Sequence, residues 1–85
     1  MKEVEFEKDA LKEFLEWEKK DKKIFLKIVS LIDECRKDPF TGLGKPEPLK
    51  HGLAGYWSRR INKEHGLVYQ VTQNTIIIIS CKFHY

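Results

Sequence analysis

Apolar and charged residues alternate at the start of the chain. Over 2–6 the order Lys, Glu, Val, Glu, Phe sets Val4 and Phe6 on one side, the period-two signature of a short edge strand. From Lys8 to Lys19 the period lengthens: Ala10, Leu11, Phe14, Leu15 and Trp17 recur at helical spacing among lysines and glutamates, which predicts an amphipathic helix. Asp21 suits the N-cap of a second helix, whose stripe Ile24, Ile28, Leu31, Ile32 and Cys35 is widened by Phe25, Leu26 and Val29 and ends at Asp38-Pro39. So broad an apolar face on two short helices needs a sheet to lie on.

Between Pro39 and Gly55 the run TGLGKPEPLKHGLAG is too irregular for a long element and too apolar for a disordered linker, so it is read as an ordered loop. Three strand-like runs follow, 54–61, 67–72 and 75–84, separated by polar turns around Asn62-Lys63-Glu64 and Gln73-Asn74. Short connections make consecutive strands antiparallel. The order β-α-α-β-β-β therefore predicts one α+β domain over 1–85, an antiparallel sheet with a two-helix hairpin on one face. The other face is left open for a ligand or partner.

Alternation along the strands predicts which side chains reach that open face. In the last run Ile77, Ile79, Cys81 and Phe83 are assigned to the core, and Ile78, Ser80, Lys82 and His84 to the open side. Leu67, Tyr69 and Val71 point inward and Gly66, Val68 and Gln70 outward. Over 56–61 the parity is ambiguous; if Trp57 and Ile61 face inward, Arg60 joins the open side, with Glu47, Lys50 and His51 hanging over the strand's edge.

Composition narrows the function classes. The net charge of +3 mildly favours a polyanionic partner without identifying one. No apolar run approaches the roughly 18 residues that cross a bilayer, and the acidic N-terminus is unlike a targeting peptide, so a cytoplasmic protein without a membrane role is expected. Cys35 and Cys81 read as buried thiols outside any CxxC. His51, His65 and His84 have no metal-ligand spacing, so neither a metal nor another cofactor is expected.

A glutamate, a histidine and several cations on one concavity suit metal-free RNA cleavage. A base takes the ribose 2′-hydroxyl proton, cations stabilise the phosphorane, and an acid protonates the leaving 5′-oxygen. On residue type Glu47 is the base and His84, with a reference pKa of about 6.5, the acid. The bland alternative makes Glu47 a solvated partner of nearby lysines and His84 an exposed terminal residue. It also makes Lys45, Lys50, Arg59, Arg60 and Lys82 ordinary solvated surface, and Trp57 and Tyr69 core.

At KPEPLKHGLAGYWSRRI, EHGLVYQV and the terminal CKFHY the sequence resembles the YoeB (Txe) branch of the RelE/ParE toxin–antitoxin superfamily, over essentially the whole chain. The resemblance implies a compact ribonuclease-like sheet with two helices on one face. It implies a toxin that cleaves mRNA in the ribosomal A site, is silenced by a YefM-like antitoxin and pairs as a homodimer. It carries the proton acceptor onto Glu47 and the donor onto His84, with Lys50, Arg60 and Tyr85 contacting substrate or its phosphate.

The chain departs from the family at one place: where the family reads EHRLVY, this sequence has Gly66, so the arginine expected on the scissile phosphate is absent. Either the glycine attenuates a toxic enzyme, or a neighbouring cation such as Arg60 or Lys82 takes over. The competing functional reading is a module that binds the ribosome or an antitoxin without cutting and serves in operon repression. A ribosome-independent ribonuclease is weaker, because so sparse a site needs the ribosome to align its substrate.

Overall fold

The computed structural model describes residues 1–50 and 55–83. The elements run β1 (Glu3–Phe6), α1 (Lys8–Lys20), α2 (Lys22–Lys37), β2 (Glu47–Pro48), β3 (Tyr56–Arg60), β4 (Gly66–Val71) and β5 (Thr75–Ser80). Both helices follow the apolar period. Asp21 caps α2, its carboxylate accepting hydrogen bonds from the backbone N–H of Lys23 and Ile24 at 3.1 and 3.3 Å. Asp38 closes α2 with its own N–H on the Glu34 carbonyl, and Pro39 follows.

The α+β class and the β-α-α-β-β-β order hold, with β2 added inside the segment read as loop. The sheet order is β1-β5-β4-β3-β2, and it is mixed rather than wholly antiparallel: β1 runs parallel to β5, Glu3 opposite Thr75 and Phe6 opposite Ile78. The short-connection argument governs strands joined by turns, as β3, β4 and β5 are. β1 meets β5 from the far end of the chain, with the helical hairpin between, so no turn constrains its direction.

Leu67, Tyr69, Ile76 and Ile78 from the sheet, with Cys81 just beyond β5, pack on Ala10, Trp17, Ile28, Leu31 and Cys35 from the helices. Rings of Phe6, Phe14 and Phe25 stack in a tilted row with centroids 5.0 and 4.8 Å apart. Leu26 and Val29, expected to widen the buried stripe of α2, are instead 55 % and 41 % exposed, because only Ile28, Leu31 and Cys35 face the sheet squarely.

The parity of the isoleucine run is inverted relative to expectation. Ile76 and Ile78 are fully buried and Ile77 and Ile79 only half-buried, yet Cys81 also points inward. A register shift explains both: Val68 pairs with Ser80 but Tyr69 with Ile78, so Ile79 is one extra residue and the sides exchange across it. Alternation carried backward from Cys81 crosses this bulge and comes out reversed. The last strand also stops at Ser80, short of its predicted end.

Candidate functional site

The segment between α2 and β3 is carried onto the sheet by two inward side chains. Arg59 is 1 % exposed, and its guanidinium donates to the carbonyls of Asp38 (2.6 Å), Thr41 (2.9 Å) and Leu43 (2.8 Å) and to the Tyr69 hydroxyl (3.1 Å). The Tyr69 hydroxyl donates in turn to the Pro39 carbonyl at 2.7 Å. Gly44 completes the approach: at φ +88 a Cβ would lie 2.8 Å from Leu31 and 3.0 Å from the Arg59 Cβ, and its carbonyl accepts from Arg60 N–H at 2.6 Å. With that backbone tied down, β2 pairs antiparallel with β3, and Glu47 stands opposite Ser58.

Glu47, Ser58 and Val68 therefore form one row across the sheet, and Arg60 and Gly66 form the next. Together with Lys45, Leu49 and Lys63 they line a groove of about 470 Å³ on the face the helices do not cover. Glu47 and Arg60 are exposed, whereas Val68 is 2 % exposed and forms the floor. Ordinary strand spacing sets the Cα atoms of Glu47 and Gly66 about 12 Å apart, a gap that two long side chains would span from opposite sides. Gly66 lies within β4, outside the positive-φ residues, so the backbone does not require glycine there.

The groove thus gathers Glu47, Arg60 and position 66 from the expected set. Lys50 is exposed two residues beyond β2 and is not among the groove's lining residues. Lys82 lies elsewhere, beside Glu13, Trp17 and Lys20, with its ammonium 5.4 Å from the Phe83 ring centroid. Of the two cations considered as substitutes for the missing arginine, only Arg60 borders position 66. His51, His84 and Tyr85 fall outside the described residues.

Two residues escaped the sequence reading. Arg59, taken as solvated surface, is buried; its position between inward Trp57 and Ile61 was the available signal. His65, considered only as a metal ligand, is 6 % exposed, and its Nδ1 accepts the Phe83 N–H at 2.8 Å. It shares the inward parity of Leu67 and Tyr69. Asn62 shapes the turn before it, its side-chain oxygen accepting from the N–H of Glu64 and His65. Among the described residues no three His, Cys, Asp or Glu side chains gather as metal ligands would, and no helix is long and apolar enough to cross a membrane.

Residues 6–85 match the family model for the YoeB-like toxin of bacterial type II toxin–antitoxin systems. The chain is 53% identical over 73 residues to Toxin YoeB of Escherichia coli K12, covering 86% of this chain and 87% of that one. The YoeB dimer structure from Staphylococcus aureus superposes with a TM-score of 0.92 at 44% identity, covering 99% of this chain and 98% of that one. A heterotetrameric YoeB–YefM toxin–antitoxin complex from the same organism superposes at 0.89 with 43% identity, over 100% and 99% of the two chains.

Proposed function

Because this chain belongs to the YoeB-like toxins of type II toxin–antitoxin systems, we propose that its activity is metal-independent cleavage of mRNA in the ribosomal A site, attenuated by Gly66. The observation that carries this reading is the convergence of Glu47, Arg60 and position 66 on one groove of the helix-free face. In the proposed reaction Glu47 accepts the 2′-hydroxyl proton as that oxygen attacks phosphorus. The bond to the 5′-oxygen breaks, His84 protonates the leaving oxygen, and a 2′,3′-cyclic phosphate remains. Arg60 neutralises charge on the phosphate, and Lys50 and Tyr85 orient the substrate. The groove is shallow and open, so the ribosome supplies the alignment of the strand.

Position 66 faces the phosphate without a cation. One missing charge-stabilising donor costs on the order of 3 kcal/mol, a hundredfold to thousandfold in rate. Gly66→Arg is therefore expected to raise cleavage by about that factor. The measurement is primer extension on programmed ribosomes, with this chain and the substituted one side by side, with and without chelator. Cuts that grow with arginine, survive chelator and disappear on Glu47→Ala support the proposal; equal cleavage with glycine and arginine rejects attenuation.

The same Gly66 favours a second reading, a module that occupies the ribosome or an antitoxin without cutting and acts in operon repression. Ribosome occupancy with no cut, even with arginine restored, would establish it. On either reading the partners proposed are a YefM-like antitoxin and a second copy of this chain, as the S. aureus relatives are found, in the cytoplasm where ribosomes and mRNA are. An acidic antitoxin segment that folds on binding suits the cationic groove.

A further inference from the structure

Beyond β5 the chain leaves the sheet, yet residues 81–83 are held at each step. The Trp17 indole Nε1–H donates to the Cys81 carbonyl at 2.9 Å, and the Glu13 carboxylate accepts the Cys81 N–H at 2.9 Å. Phe83 is then gripped from both sides by two consecutive residues: its N–H donates to His65 Nδ1 at 2.8 Å, and its carbonyl accepts from Gly66 N–H at 2.9 Å. Phe83 has φ 62, a left-handed conformation that residues bearing a Cβ avoid unless their surroundings impose it.

The grip dictates the chemical state of His65. A backbone N–H can only donate, so Nδ1 must present its lone pair and the ring proton must sit on Nε2. The ring is wedged edge-on against Trp17 of α1, with centroids 4.8 Å apart, and tilted on Phe83 at 5.5 Å. Nε2 has the exposed Glu64 carboxylate 4.0 Å away. His65 stands just before β4, and its inward imidazole satisfies this one backbone amide. Here that amide belongs to the residue directly before His84.

We propose that His65 is a positioning residue: through the Phe83 N–H it sets the backbone that leads to His84, while the next residue, Gly66, holds the Phe83 carbonyl by its own N–H and lines the groove. This rests on His84 as the general acid in the proposed function. One pair of adjacent residues thereby ties Phe83 to the strand that borders the groove.

The test uses the full chain, with and without Gly66→Arg, in three forms: unsubstituted, His65→Ala, and His65→Asn, whose amide oxygen can take the place of Nδ1. Nitrogen NMR should report the Nε2–H tautomer. A hydrogen bond of ordinary strength predicts that Phe83 amide exchange quickens about tenfold in the alanine form, with Tyr69 and Ile78 unchanged, and recovers in the asparagine form. On ribosomes kcat should fall about tenfold with alanine at unchanged KM, and recover with asparagine. Should alanine prevent folding, the tautomer and the asparagine form still decide. A proton on Nδ1, or a kcat indifferent to His65→Ala, overturns the positioning role while cleavage stands. No cleavage even with Gly66→Arg overturns the nuclease reading instead, and with it any catalytic meaning of the grip.

Discussion

Arg59 and Arg60 are chemically identical neighbours with opposite fates. Arg60 opens onto the groove, whereas Arg59 ties three loop carbonyls and the Tyr69 hydroxyl together beneath it. A buried guanidinium bonded to three main-chain oxygens and a buried hydroxyl acts as a rivet, because removing it breaks four hydrogen bonds at once and leaves a hole beneath the loop. Arg59→Ala is expected to destabilise the fold by about 3 kcal/mol, and Arg59→Lys to recover only part of that, since an ammonium lacks the planar fork. Urea denaturation measures both. The loop so secured carries Glu47, so the same change should weaken cleavage although Arg59 is no part of the proposed chemistry. A loss in Arg59→Ala of well under about 1 kcal/mol would contradict this role. Sequence alternation pointed to the burial of Arg59 once Trp57 and Ile61 were taken inward; what it lacked was the destination of the charge.

At the scale of elements, the end of α2 and the start of the loop depend on a single carboxylate. Asp38 accepts hydrogen bonds from the Thr41 hydroxyl at 2.7 Å and the Phe40 N–H at 2.9 Å, and these, the hydroxyl foremost, hold its carboxyl below the ordinary value of 3.8. A folded-state pKa below the unfolded one gives stability that is present above pH 3.8 and lost as pH falls through the folded value. The urea midpoint of this chain is therefore expected to drop with acid below that pH, and Asp38→Asn to flatten that part of the profile. A profile unaltered by Asp38→Asn would remove the cap from the account. This junction was legible in the sequence, as was the Asp21 cap, because caps are local. The direction of β1 was not, since its partner lies at the other end of the chain.

Over the whole molecule, one core serves two jobs: it joins the helices to the sheet and it anchors the segment that leads to the terminal histidine. Trp17 and Glu13 reach from α1 to Cys81, so the helical layer takes part in holding the far end of the chain. Cys35 and Cys81 are both fully buried. Burial, reinforced by the Glu13 charge, pushes the Cys81 thiol up to about 12, and burial likewise raises that of Cys35. Thiol reagents attack the thiolate, so both cysteines should label only when the fold opens. Labelling at the rate of a small free thiol would place them outside the core. A rate that falls with added stabilisation and rises with urea is the expected result.

The sequence by itself determined the helices, the Asp21 and Asp38 boundaries of α2, the existence of the strands read at 2–6, 54–61, 67–72 and 75–84, though not their exact bounds, and the residue types offered for chemistry. All of these follow from periods and side-chain preferences that act within a few residues. Tertiary structure decided which isoleucines face inward, how β1 is oriented, that Arg59 rather than Arg60 is enclosed, and that His65 holds the Phe83 amide. A run of identical isoleucines carries no mark of its own parity, and a one-residue bulge reverses it. Contacts such as Glu3 with Thr75, or His65 with Phe83, exist only once distant segments have packed, and no local pattern encodes them.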